Sequence, residues 1–496
     1  APIQGFDPVL DHWITPGSFF PPNIQDSMID ISNRKIIDVR DKKVTVIGLG
    51  LSGVAAAKLA NHMGACVFGS DPSSEFQVSD NALDLLHHHI ASETGLHSEK
   101  IYDADLWIIS PGVPKDADIV IKAREKGIPI VGEIEFASWY TDSPIIAVTG
   151  SNGKTTTVHI LSEMCQSEDI QSLMGGNMGI PFSERVLEEI KNPNSKLVYI
   201  LEISSFQMEF VHHFCPKIAL YTNISPDHLD RHGTMDEYVN MKLKMVKNMG
   251  KNEFIVFNTD DPQLQLAVKG HEAQFVPFSI MRPEMTYSLD SNHLNTLSGK
   301  QLIAVNDISL PGKHNLSNML GAATASHLMG ISDDHISHVM RTFTGVEHRL
   351  ENVATVKGVE YINDSKATNV NAAWYALESM TKPVIWIAGG VDKAIKAGQY
   401  GSLGDKPGED YYLDTQPKNV TLYSLDAITG KVKWSYFIDG VAYRGGVMTS
   451  GGVVYLPAAD GNLYMFDADN GQLLDKMFLS NSLLILPTIG KKIDGE

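Results

Sequence analysis

Ala147-Val-Thr-Gly150-Ser-Asn-Gly153-Lys154-Thr-Thr-Thr157 continues the apolar run Pro144-Ile-Ile and leads into Val158-His-Ile-Leu-Ser-Glu-Met-Cys165. An apolar run, two glycines, a lysine, hydroxyls and a helical stretch read as a strand–loop–helix unit that holds phosphate. Glycines let backbone N–H groups close around phosphate oxygens, Lys154 places a charge on them, and the Thr155 hydroxyl suits Mg2+. Gly150, Asn152, Gly153, Lys154, Thr155 and Thr156 are therefore the candidate nucleotide-binding residues. The spacing departs from the common P-loop, which would need glycine at position 148, where Val148 stands. The plain alternative is a Gly/Ser turn at a sheet edge.

The fold follows from what surrounds this loop. KVTVIG, DLWIIS, LVYILE, KIALYTN and FIVFN, like PIIAVTG, are continuous apolar runs bounded by turn residues and separated by helical stretches. That pattern predicts parallel sheet covered on both faces, so residues 42–393 read as α/β with more than one sheet. A second glycine cluster, Gly48-Leu-Gly50-Leu-Ser-Gly53, follows the strand KKVTVI and opens a helix, and Asp71 ends the next strand. Strand, glycines, helix and acid stand in register for a nucleotide site whose diphosphate lies on the helix N-terminus. The alternative is a tight strand-to-helix turn without a ligand. Two glycine loops in one chain predict two phosphate-bearing ligands.

Composition sets outer bounds. The chain has 496 residues, 43% of them hydrophobic, which excludes general disorder and suggests about three domains. No apolar run is long enough to span a membrane. The N-terminus has no basic start before an apolar stretch, so no signal peptide is expected. Three scattered cysteines fit a reducing cytoplasm. A net charge of −19 without a basic patch argues against nucleic acid. Residues 1–27, rich in proline and aromatics, show no period.

Composition changes near residue 394. The last 103 residues hold 14 of the 41 glycines and none of the 18 histidines. LYSLDAITGKVKW (422–434) and LYMFDADNGQLLD (463–475) match at an offset of 41 residues. A period near 40 built from short strands marks β-propeller blades.

Polar clusters close two of the predicted strands: Glu202-Ile-Ser-Ser-Phe-Gln207, and Asn223-Ile-Ser-Pro-Asp-His-Leu-Asp230. Such strand ends face the ligand crevice of a parallel sheet, so Glu202 and His228 are candidates for holding Mg2+, against a capping network as the plain reading. His87, His88 and His89 are adjacent on a helix and point different ways, which argues against a metal. His212, His213 and Cys215 lack a second Cys/His pair for zinc.

Residues 28–393 resemble the Mur ligases. The matching strings are GLGLSG, SPGV, AVTGSNGKTTT, GGNMGIP, LEISSFQME, NISPDHLDRH, GKHNLSN, FTGVEHRLE and INDSKATN. LEISSFQ and INDSKATN resemble the D-glutamate-adding branch in particular, and T-G-x-N-G-K-T is the family's own form of the phosphate loop. The resemblance implies a Rossmann-like domain for a UDP substrate, a central P-loop ATPase domain and a Rossmann-like third domain for the amino acid. Domains are accordingly expected at 42–142, 143–343 and 344–393, after a lead-in at 1–41 and before a propeller-like fragment at 394–496. It further implies ATP and Mg2+ as cofactors, UDP-N-acetylmuramoyl-L-alanine and D-glutamate as substrates, an acyl-phosphate route in peptidoglycan synthesis, and a cytoplasmic monomer. Leu51, Ser52, Asp71, Ser110 and Asn177 should then serve the UDP substrate. Lys154, Thr155, Glu202 and His228 should serve ATP and Mg2+. Asn315, Arg349 and Asp364 should bind adenine, ribose or phosphate, and Lys366, Thr368 and Lys393 should face the amino acid. Lys242 falls where the family carries a lysine carbamylated by CO2, a further metal ligand.

The tail resembles the tryptophan-docking repeat of quinoprotein dehydrogenase propellers, over two blades at most. The resemblance to the ligases stops at Lys393, leaving about one β-α-β unit of a truncated third domain. That predicts loose packing from about 344 onward and impaired D-glutamate addition. Two other readings stand beside the ligase: a quinoprotein-type oxidoreductase fragment and a non-catalytic nucleotide-binding protein.

Overall fold

The computed structural model describes residues 38–362, apart from 269, 286, 291, 296–300, 311 and 357, and then 363–367, 370–380, 384–388, 419–426, 432–439, 448–450, 452–457 and 462–478. Residues 1–37 of the lead-in, Thr368 and Lys393 lie outside the described residues. The chain divides into two units, Ala1–Ile362 and Asn363–Glu496.

The first sheet of unit one holds β1 (Lys43–Ile47), β2 (Cys66–Asp71), β3 (Ala91–Thr94), β4 (Leu106–Ile109) and β5 (Ile130–Gly132). Its helices are α1 (Leu51–His62), α2 (Phe76–His87), α3 (Asp118–Glu125) and α4 (Glu133–Ser138). The order is β3-β2-β1-β4-β5, all parallel. Strand order reverses between β1 and β4, so the loops after those two strands part and open a ligand crevice. Val44–Ile47 and Leu106–Ile109 are buried on both faces, which is why they read as unbroken apolar runs.

The second sheet holds β6 (Ile145–Thr149), β7 (Gln171–Gly176), β8 (Leu197–Glu202), β9 (Ile218–Tyr221), β10 (Phe254–Asn258), β11 (Gln274–Ser279), β12 (Tyr287–Leu289), β13 (His293–Asn295) and β14 (Gln301–Ala304). Its helices are α5 (Lys154–Cys165), α6 (Phe182–Lys191), α7 (Leu229–His232), α8 (Met235–Leu243), α9 (Pro262–Ala267), α10 (Lys313–Leu328) and α11 (Asp333–Thr342). The order is β14-β13-β12-β11-β10-β9-β6-β8-β7. Only the β12–β13 and β13–β14 pairings are antiparallel among those recorded for this sheet. All six apolar runs of the sequence form strands, β1 and β4 in the first sheet and β6, β8, β9 and β10 in the second. β11 gave a weaker signal because Pro277 interrupts it; β12 pairs only with Phe278 and Ser279, past the missing N–H. β6 sits between β8 and β9, so their carboxyl ends bring the glycine loop, Glu202 and Asn223 to one crevice.

One core lies under α5, α10 and α11, built on Ile146, Val148, Ile200 and Leu220. Another runs from Val46 and Ile108 of the first sheet through Ile134 and Phe136 to Ala147 and Tyr199 of the second. Phe182 and Tyr199 meet edge-to-face there at 5.0 Å. Each such side chain contributes about 1.5–3 kcal/mol on burial. A hairpin of β15 (Glu351–Val356) and β16 (Val359–Asn363) follows.

Unit two contains α12 (Val370–Glu378), β17 (Ile385–Ala388), β18 (Asn419–Asp426), β19 (Val432–Asp439), β20 (Met448–Ser450), β21 (Val453–Pro457), β22 (Asn462–Asp467) and β23 (Leu473–Phe478). A strand, a helix and a strand (β16, α12, β17) follow one another over 359–388, but the two strands do not pair with each other as a β-α-β unit would. β16 pairs with β15, and β17 pairs antiparallel with β18 of the tail. Backbone groups of a lone strand need partners, and the tail hairpin supplies them. β20–β23 form a four-stranded antiparallel sheet. Trp434 Nε1 donates to Ala468 O at 3.0 Å, and its ring lies where a Cβ on Gly471 would stand, 2.4 Å away. The two repeats are thereby docked through one tryptophan.

Candidate active site

The loop after β6 is shaped by close neighbours. A Cβ on Gly150 would lie 2.0 Å from Thr222 Oγ1, and one on Gly153, where φ is +82°, 2.5 Å from Asn318 Oδ1. Only glycine fits. Asn223 clamps the loop: its Oδ1 accepts from Asn152 N at 2.9 Å and its Nδ2 donates to Asn152 O at 3.0 Å. Ser151 Oγ accepts from Ser225 N at 2.9 Å. α5 then starts at Lys154 with no side-chain cap, so its first N–H groups and its dipole favour an anion.

Basic side chains converge on this loop. Lys154 Nζ donates to Gly150 O at 2.8 Å and to Ser151 O at 2.9 Å. Lys242 Nζ, from α8, donates to the same Gly150 O at 2.9 Å. Arg349 Nη2 donates to Thr155 Oγ1 at 2.9 Å. Burial pushes the Lys242 amine well below its ordinary pKa, and the Lys154 charge pushes it further. Lys154 is lowered by burial and by Arg349, with Glu202 and Asp227 opposing. Thr155 Oγ1 donates to Glu202 Oε2 at 2.7 Å, and Asn177 Nδ2 donates to Glu202 Oε1 at 2.8 Å.

These residues suit a polyphosphate with Mg2+. Two buried amines sharing one carbonyl gain from an anion between them. Among the described residues no three His, Cys, Asp or Glu side chains gather as a metal cluster. Mg2+ does not require one: it usually takes one or two protein oxygens together with substrate phosphates and waters, and the adjacent Thr155 and Glu202 oxygens supply such a pair. His228 stands at the N-terminus of α7 with φ +52°, its ring 4.9 Å from that of Phe206 and its Nε2 3.7 Å from Asp227 Oδ2.

The first glycine loop is held from both sides. Ser110 Oγ donates to Gly48 O at 2.8 Å, and Leu49 N donates to Asp71 Oδ2 at 2.7 Å. Asp71 Oδ1 accepts from Ser73 N. Asp71 and Ser110 thus act on the loop itself. Leu51 is exposed and Ser52 half-buried on the first turn of α1, which has no side-chain cap. Asn315 is buried in the first turn of α10. Asp364 and the exposed Lys366 follow β16 in unit two.

Asn318 and Tyr238 were not picked out from the sequence. Asn318 stands three residues after Asn315 on the same helix face, a spacing that would have marked it. Tyr238 shares a hydrogen bond with Ser151 Oγ at 3.0 Å, and burial raises its phenol to about 12. The backbone N–H groups of His212, His213 and Phe214 converge on the buried Glu135 carboxylate.

Residues 42–132 match the Mur ligase MurD-like N-terminal domain and residues 148–326 the Mur ligase middle domain. The chain is 40% identical over 360 residues to the UDP-N-acetylmuramoylalanine–D-glutamate ligase of Christiangramia forsetii, covering 71% of this chain and 79% of that one. The chain belongs to the Mur ligase family. It is also 41% identical over 361 residues to the enzyme of the same name from Bacteroides thetaiotaomicron, covering 71% and 79% of the two chains. With that of Koribacter versatilis it shares 39% over 407 residues, covering 80% and 85%. Among solved structures it is similar to a murein peptide ligase from Psychrobacter arcticus, at 18% identity and a TM-score of 0.47, covering 68% of this chain and 75% of that one. The middle-domain match of this Mur ligase contains the glycine loop at 150–155, Glu202, His228, Lys242 and Asn315. Its N-terminal match contains Leu51, Ser52, Asp71 and Ser110.

Proposed function

We propose that this chain is an ATP-dependent ligase that joins D-glutamate to UDP-N-acetylmuramoyl-L-alanine in peptidoglycan synthesis. The observation that carries the reading is the convergence of Lys154, Lys242 and Arg349 on a glycine loop at an uncapped helix N-terminus. The names of the relatives supply the substrates. Residues 42–142 take the UDP substrate, 143–343 take ATP, and 344–393, with Lys366, Thr368 and Lys393, face D-glutamate. Residues 1–41 are a lead-in and 394–496 the propeller-like fragment. The enzyme works as a cytoplasmic monomer.

A carboxylate is a poor electrophile. Its oxygen attacks the γ-phosphorus of ATP, the bond to the ADP oxygen breaks, and an acyl phosphate forms. The D-glutamate nitrogen attacks the acyl carbon, the tetrahedral adduct loses phosphate, and the amine proton leaves to solvent or a base. Lys154 and the α5 N-terminus offset charge on the transferring group. Thr155 and Glu202 would hold Mg2+, with His228 and a carbamylated Lys242 at a second position, and the ion would supply Lewis-acid stabilisation of the phosphoryl oxygens. Carbamylation joins the Lys242 nitrogen to CO2 with loss of a proton. A buried amine with a lowered pKa is the reactive form.

The test is phosphate release with UDP-N-acetylmuramoyl-L-alanine, ATP and Mg2+, with and without D-glutamate. Release that depends on D-glutamate supports the reading. ATP binding without release under either condition refutes it in favour of a non-catalytic nucleotide-binding protein.

A further inference from the structure

Arg231, on α7, directs its guanidinium donors at two segments distant in the sequence. Nη1 donates to Gly112 O at 3.3 Å and Nη2 to Val113 O at 3.1 Å. Nε donates to Glu209 Oε1 at 3.0 Å and Nη2 to Glu209 Oε2 at 2.9 Å. The Glu209 side chain is only 2% exposed and that of Arg231 20%. The guanidinium also lies 4.5 Å from the centroid of the Phe206 ring, which packs against both His228 and His232.

Each segment leads to a ligand loop. Gly112 and Val113 belong to the turn that starts at Ser110, whose hydroxyl holds Gly48 O. Val113 Cγ2 would lie 3.5 Å from a Cβ on Gly48. On the other side, Phe206 and Glu209 follow β8, which ends at Glu202, and α7 itself follows His228. A bidentate fork fixes direction as well as distance, and two carbonyls on its outer edge leave little freedom for the 110–113 turn.

We propose that Arg231 is a positioning residue that couples the two ligand loops. Filling the glycine loop after β1 sets the 110–113 turn, and Arg231 passes that setting to the His228 segment beside the phosphate loop. The inference rests on the assignment of the UDP substrate to the first loop and ATP to the second. By linkage the effect is reciprocal: each ligand tightens the other by the same factor. Lysine cannot supply the fork, so Arg231→Lys keeps the charge and loses most of the coupling.

The experiment titrates a non-hydrolysable ATP analogue into the full-length protein by calorimetry, with and without saturating UDP-N-acetylmuramoyl-L-alanine. Wild type should bind the analogue about 5-fold or more tightly when the second ligand is present. Arg231→Gln should bind each ligand alone but show a coupling factor near one, with Arg231→Lys in between and the melting temperatures recorded. Coupling retained in folded Arg231→Gln, or absent from a wild type that binds both ligands, overturns the inference. If Arg231→Gln does not fold, Glu209→Gln takes its place, since it weakens the fork and leaves the two carbonyl bonds: reduced coupling supports the inference and unchanged coupling overturns it. Failure of wild type to bind either ligand would instead overturn the ligand assignment, and the inference falls with it.

Discussion

Glu133, the first residue of α4, is 2% exposed. Its Oε1 accepts from Ser183 N at 2.6 Å, while its Oε2 has no hydrogen-bond partner. Burial pushes this carboxyl from 4.5 up to about 7, and the Ser183 hydrogen bond offsets only part of the rise. Because the folded-state pKa lies above the unfolded one, the unfolded chain gives up this proton first. The stability held by the neutral acid is therefore full below about 4.5 and lost as pH rises through about 7. A difference of about 2.5 pKa units corresponds to at most roughly 3 kcal/mol, of which about 2.5 kcal/mol falls between pH 5 and pH 8. Glu133→Gln keeps the shape and an acceptor for Ser183 N but has no proton to lose. The variant should gain on wild type by about 2.5 kcal/mol as pH rises from 5 to 8. That is roughly 5 °C in melting temperature at about 2 °C per kcal/mol. Thermal melts of both proteins at the two pH values measure it. A difference between variant and wild type that does not change with pH would refute the reasoning, because the ionisation of Glu133 would then cost nothing in the fold.

Lys154→Ala removes the amine proposed to contact phosphate and should weaken ATP about 10- to 100-fold in a calorimetric titration while circular dichroism stays unchanged; undiminished turnover would exclude Lys154 from the proposed phosphate site. Lys242→Ala should abolish turnover, and added bicarbonate should raise wild-type turnover alone; equal activity with no bicarbonate effect would remove Lys242 from the metal site. In unit two, Trp434→Ala takes away the side chain over Gly471 and should destabilise that unit by about 3–5 kcal/mol, read by tryptophan-independent unfolding such as far-ultraviolet dichroism. An unchanged transition there would show that the two repeats do not depend on the docking.

The strand–loop–helix at 145–165 was legible because everything it needs is local: apolar β-branched residues, two glycines with no room for a side chain, and a helix that begins at Lys154. The partners of that loop were legible only as types of residue at strand ends. Which of them meet is decided by sheet order, and Thr155 finds Glu202 and Arg349 across separations of 47 and 194 residues. The pairing of β17 with β18 was not legible either, since an apolar run states that a strand wants neighbours and not which ones. Glu133 and Glu135 show the limit most sharply. They carry the same side chain two positions apart in a helix of six residues, all buried. Reading by composition treats both as solvated. Glu135 accepts from Trp139 Nε1 and from three backbone N–H groups, so its buried carboxyl is surrounded by donors. Glu133 has one recorded donor and its acid is raised. The difference is not encoded in α4: the donors arrive from Ser183 and from residues 212–214, 50 and 77–79 positions further along the chain. The donors a buried carboxylate meets are therefore set by which distant backbone the sheets bring to it, and only the assembled fold shows them.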